Sequence, residues 1–166
     1  FYGGFNNILA RFGIPGQAWL SDVHLAMPSI ILMNLMYIGT TMVVFIAAVK
    51  GVPTELYEVA LLDGASPWKR FIHITVPMIS PILFYNLIMQ IIQSFQVFTN
   101  VYIMTNGGPA NATMVFVLYL YQSAFQYLRM GYGSALAWVL FAIILILTLL
   151  VFRTSGWVYF EGKEEK

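Results

Sequence analysis

The chain has 166 residues, 60% of them hydrophobic and 9% charged, whereas a soluble domain carries roughly a quarter charged residues. A net charge of +1 excludes the concentrated basic face that nucleic-acid binding needs, and the lack of cysteine excludes disulfide scaffolds, thiolate metal sites and cysteine nucleophiles. The apolar residues fall in long blocks without amphipathic rhythm, so the chain reads as an all-α membrane protein of about three spans.

The chain opens at Phe1 with no initiator methionine and no basic-then-apolar leader, and residues are expected upstream of it. A bilayer core about 30 Å thick takes roughly 20 apolar helical residues. Residues 24–49 qualify first, interrupted only by uncharged polar residues such as Asn34 and Thr40.

Residues 50–77 follow as a polar loop bearing Glu55, Glu58, Asp63, Lys69 and Arg70. They read as a helix, a sharp turn and a second helix. Pro53 suits a first helical position, where it has no N–H to leave unpaired. Glu55 and Glu58 then lie near a helix N-terminus, where the macrodipole favours negative charge. Gly64 permits the stop, and Ser66-Pro67 reads as an N-cap followed by proline at the first helical position. Pro77 is expected to end the second helix before the next span. Two short helices projecting from a membrane make a knob suited to a partner's groove.

Residues 78–104 form the second span and contain no charge. On a continuous helix, at about 100° per residue, Asn86, Gln90, Gln93, Gln96 and Asn100 fall within an arc of roughly 120°. Amides facing hydrocarbon without partners are unfavourable, so this stripe either binds neighbouring helices or lines a watery path, and the expected role of all five is to line the substrate pathway. Uncharged donors and acceptors suit a neutral polyhydroxylated solute; an anion would call for Arg or Lys inside the membrane. Tyr85, Phe95, Phe98 and Tyr102 offer stacking faces nearby.

Residues 105–133 are expected on the outside. Their TNGGPANAT segment makes a tight turn, and residues 114–128 are apolar and aromatic but short, with Gln122, Ser123 and Gln126 among them. That suits a re-entrant or interfacial helix better than a span. Residues 134–153 are the third span, and 154–166 the tail.

Three spans put Lys50, Lys69, Arg70, Arg153, Lys163 and Lys166 on one side and Arg11 and Arg129 on the other. The positive-inside rule then assigns the loop 50–77 and the tail to the cytoplasm. Trp157, Tyr159 and Phe160 fall where an interfacial aromatic belt is expected. His24 and His73 have no partner at metal-ligand spacing, so neither a metal nor a cofactor is expected. No H-E-x-x-H, G-x-S-x-G or P-loop occurs, so the chain does not read as an enzyme. The alternative reading is a secondary transporter or channel for a neutral polar solute. It calls for an ionisable group inside a span to carry a coupling ion, and the span interiors hold none.

The segment ELYEVALLDGASPWKRFIHITVP resembles the cytoplasmic loop of binding-protein-dependent ABC importer permeases. That pattern is Glu-Ala-Ala, three residues, Gly, nine residues, then Ile-x-Leu-Pro. Here it reads Glu58-Val59-Ala60, Gly64, Ile74 and Val76-Pro77, with every spacing kept and Asp63 and Ala65 flanking the glycine. Val59 and Val76 depart from it conservatively. VYIMTNGGPANAT, SAFQYLRMGYGSAL and FNNILARFGIPGQAWLSDVHLAMP are similar to segments of the carbohydrate-importing branch, the maltose and glycerol-phosphate type, so the resemblance covers nearly the whole chain.

The resemblance implies a multi-pass permease subunit of a prokaryotic inner membrane, with further spans upstream. Its implied partners are a second permease subunit, identical or different, two ATP-binding cassette ATPase subunits, and an extracytoplasmic solute-binding protein that delivers a sugar or sugar-like solute. ATP hydrolysis would belong to the ATPase subunits. Glu58, Ala60, Asp63, Gly64, Ala65, Ile74 and Pro77 are implied to couple to the ATPase, with Glu58 making the polar contact and Gly64 letting the short helices meet.

Overall fold

A computed structural model describes residues 3–158 of the chain. Of the aromatic belt expected in the tail, the Trp157 side chain, Tyr159 and Phe160 lie outside the described residues, as do Lys163 and Lys166. Among the described residues every regular element is helical. In order they are α1 (Gly4–Arg11), α2 (Ala26–Asn34), α3 (Ile38–Lys50), α4 (Thr54–Leu62), α5 (Pro67–Arg70), α6 (Val76–Phe95), α7 (Thr99–Met104), α8 (Phe116–Tyr121) and α9 (Met130–Arg153). Three stretches are long and apolar enough to cross a membrane: Ala26–Lys50, Pro67–Met104 and Met130–Arg153. The 24 residues of α9 reach about 36 Å at 1.5 Å per residue, sufficient for a bilayer core.

The chain divides into two compact units. The first joins the residues up to Met36 with Gln96–Ala137. Its centre is Ile30 of α2, Val101 of α7 and Leu118 of α8, with Leu20, Val97, Phe98, Met114 and Val115 packed around them. The loop before α2 is fixed by Asn6, whose side chain donates to Gln17 O at 2.9 Å and accepts from Trp19 Nε1 at 2.8 Å. Asp22 Oδ1 accepts the His24 and Leu25 amides just before α2 begins, the kind of side-chain capping that satisfies orphan donors at a helix start. The segment between α7 and α8 is held by Thr113, which donates to Gly108 O at 2.7 Å and pairs with Thr105 Oγ1 at 2.7 Å. Gly133 lets α9 approach α8's extension closely, since a Cβ there would lie 2.6 Å from the Ala124 Cβ.

The second unit joins Tyr37–Phe95 with the described residues from Trp138 on. Within it α3 packs on α6, and Phe84 of α6 meets Phe152 of α9 edge-on at 5.2 Å. Edge-to-face geometry sets the positive ring edge against the negative face of its neighbour.

Two sequence expectations change here. Pro77 does not end a helix: a π-helical turn, Phe71–Thr75, carries α5 directly into α6, with Pro77 at its second position. In a regular turn the Pro77 ring would strike the carbonyl four residues back and leave it without a donor. The turn widens just before it instead, and the Val76 amide bonds Phe71 O, five residues back. The second span is also not one continuous helix. It leaves helical geometry at Gln96–Phe98, where Phe98 has φ −139° and ψ −60°, and resumes as α7. Val97 and Phe98 turn into the first unit's core at this break, so packing overrides the local helical pattern.

The segment expected to be re-entrant or interfacial forms α8 and a π-helical continuation, Gln122–Gln126. Together they reach about 16 Å, too short to cross a bilayer core.

Candidate functional site

The loop between α3 and α6 is a built structure. Pro53 occupies the N-cap position at φ −55° and ψ 130°, one residue before the expected place, and Glu55 sits in the first turn of α4. At the other end of α4, Gly64 has φ +70°. Its amide bonds Leu61 O at 3.0 Å, and the Ala65 amide bonds Ala60 O at 2.9 Å. This pair of bonds is the Schellman arrangement, which satisfies the last carbonyls of a helix and needs a left-handed residue at Gly64. Ser66 then caps α5 by accepting the Lys69 amide, with Pro67 at its first position. Glu55, Gly64, Ser66 and Pro67 therefore serve the local roles expected of them, whereas Pro53 stands one place earlier and Glu58 lies beyond the first turn of α4.

Glu58 and Asp63 are exposed, Ala60, Ala65, Ile74 and Pro77 are half-buried, and Gly64 lies at the exposed turn. Around them the loop displays apolar side chains: Leu62 is 87% and Trp68 69% exposed. Large exposed apolar side chains on one turn, with the exposed Glu58 and Asp63 on the same loop, are the composition of a contact surface. Tyr57 and Thr75, which no spacing rule singles out, tie the loop together through hydroxyl oxygens 2.7 Å apart.

The amide stripe is only partly brought together. Asn86, Gln90 and Gln93 share one face of α6 at i, i+4 and i+7. Gln96 lies in the break, and Asn100 lies beyond it on α7, so the single arc expected of five amides does not form. Asn100 Nδ2 donates to Asn34 Oδ1 at 2.7 Å, which joins α7 to the end of α2 within the first unit. In the sequence Asn34 stands only as a polar interruption of the first span, and no local signal pairs it with Asn100. Asn86 donates back to Ile82 O at 2.9 Å, while Gln90, Gln93 and Gln96 are exposed. An apolar cleft of about 290 Å³, lined by Ile91, Phe95, Leu147, Leu150, Val151 and Thr154, offers little to a hydroxylated solute.

Among the candidate stacking residues, Phe98 and Tyr102 stack at 5.1 Å, and Tyr121 closes on both. Hydrogen bonding with Tyr102 holds the Tyr121 phenol above its ordinary range. No group of three or more metal-ligating side chains occurs among the described residues.

Residues 5–159 match the family described as the binding-protein-dependent transport system inner membrane component. The chain is 41% identical to the probable ABC transporter permease protein YesP of Bacillus subtilis (strain 168), over 98% of this chain and 54% of that protein. It is 37% identical to the arabinooligosaccharides transport system permease protein AraP of the same organism, over 95% and 51%. The lactose transport system permease protein LacF of Rhizobium radiobacter is 33% identical over 92% and 53%. A solved bacterial alginate ABC transporter, in complex with an alginate pentasaccharide-bound periplasmic protein, superposes with a TM-score of 0.82 at 25% identity, covering 93% of this chain and 54% of that one. The chain spans about half the length of the curated relatives it matches. With helices long enough to cross a bilayer and a family match over nearly its whole length, the chain belongs to the inner membrane components of binding-protein-dependent transport systems.

Proposed function

We propose that the protein is a channel subunit of an ATP-driven importer, and that it passes a sugar or sugar-like solute received from an extracytoplasmic binding protein. The observation that carries this reading is the capped loop with its signature spacing, which displays exposed apolar and acidic side chains at one turn. In this reading residues 50–77 and 154–166 face the cytoplasm and residues 105–133 face outward. Glu58, Ala60, Asp63, Gly64, Ala65, Ile74 and Pro77 form the seat for one of two ATPase subunits, and a second permease subunit completes the channel. Asn86, Gln90 and Gln93 face the solute path, while Asn100 serves as a brace between helices and Gln96 sits at the break.

The carbohydrate assignment draws on relatives named for arabinooligosaccharides and lactose, and on a structural neighbour named for alginate. Neutral amides fit the same solute class, because they pair with hydroxyls without demanding charge. The test is uptake of oligosaccharides by vesicles that contain the purified complex. Uptake should require ATP inside and binding protein outside. Uptake that persists without ATP and follows an imposed ion gradient would establish the secondary-transporter alternative instead.

A further inference from the structure

Tyr57 and Thr75 close a ring that the loop signature does not include. Their hydroxyl oxygens lie 2.7 Å apart across 18 residues of sequence. Thr75 is 5% exposed and Tyr57 half-buried, so water competes poorly for the bond. Tyr57 neighbours Glu58 on α4, and Thr75 is the last residue of the π turn, directly before α6. Between the two, the covalent route passes through Gly64 at φ +70° and the four-residue α5. The π turn adds a second weak point, because a widened turn is where a helix changes register or bends. A push on α4 transmitted by the backbone alone would be absorbed at those two places. The hydroxyl pair bypasses both.

We propose that Tyr57 and Thr75 are positioning residues, a strut that carries movement of α4 into α6, the helix that bears Asn86, Gln90 and Gln93. This rests on the importer reading given above. When the ATPase moves α4, the strut makes the start of α6 follow.

The test uses the complete importer, with its ATPase subunits and binding protein, reconstituted in vesicles. Tyr57→Phe and Thr75→Val remove one hydroxyl each and nearly keep the volume; Thr75→Ser keeps the hydroxyl. The readout is solute taken up per ATP hydrolysed, with retention of the ATPase subunits measured alongside. Each hydroxyl deletion should lower that ratio by about fivefold, the factor one hydrogen bond is worth, with the ATPase still bound. The double variant should be no worse than either single one, because both remove the same bond. Thr75→Ser should stay near the wild-type ratio. Wild-type ratios in both single variants, additive losses in the double, or loss of the ATPase from either would each overturn the strut. A wild-type complex that shows no ATP-driven uptake would instead remove the importer reading, and the strut with it.

Discussion

Ser80 donates its hydroxyl to the carbonyl oxygen of Pro77 at 2.6 Å, and this replaces the bond that Pro81 has no N–H to make. Together with the π turn before Pro77, this lets one helical path run from the loop to Phe95 through two prolines. Ser80 is 1% exposed, so removing its hydroxyl takes a shielded donor away from the carbonyl of the half-buried Pro77. Ser80→Ala should lower stability by about 1–3 kcal/mol, read as a reduced Tm in detergent. Ser80→Thr, which keeps the donor, should lose less. Equal Tm values for Ser80→Ala and the wild type would show that α6 does not depend on this bond.

The two amide environments make opposite predictions. Asn100→Leu leaves Asn34 without its partner at 2.7 Å and should reduce stability by about 1–3 kcal/mol. Gln90→Leu and Gln93→Leu alter exposed amides on α6, and a lipid-compatible side chain does not hinder insertion. These two should keep the wild-type Tm and lose uptake. Thermal unfolding and vesicle uptake on the same preparations separate the cases. Normal uptake in both glutamine variants would remove α6 from the solute path.

The assignment of sides can be read by thiol labelling, because the chain contains no cysteine of its own. Thr54→Cys, exposed at the start of α4 and outside the residues proposed to seat the ATPase, should react with an impermeant reagent only after the cytoplasmic face is opened. Asn111→Cys, exposed in the segment before α8, should react from outside intact cells. The reverse pattern would invert the topology.

The loop was the most legible part of the sequence because its structure is set locally. Pro53, Gly64, Ser66 and Pro67 act within four residues of themselves, and each stands where its backbone chemistry is needed. The spans were legible because length and apolar content decide them. What escaped were features that depend on distant partners. The break at Gln96–Phe98 has neither glycine nor proline to announce it; it follows from Val97 and Phe98 joining Ile30, Val101 and Leu118. Asn100 read as one more member of a stripe because its partner Asn34 is 66 residues away. Pro77 read as a terminator because a π turn, which rescues it, has no compositional signature.

The loop from Glu55 to Pro77 is proposed to seat the ATPase. The most direct measurement is the amount of ATPase subunit that co-purifies with the wild type, Glu58→Lys and Gly64→Val, together with solute-stimulated hydrolysis in vesicles. A Cβ at Gly64 meets no atom within 4 Å, so the main effect of Val there is the φ of +70°, a strain of about 1–3 kcal/mol that misaligns α4 and α5. Glu58→Lys reverses the charge offered to the partner, where like charges are strongly penalised. Both variants should reach the membrane, retain little ATPase and show no stimulated hydrolysis. Full ATPase retention with normal stimulation in both would leave the loop as a mere connector between spans.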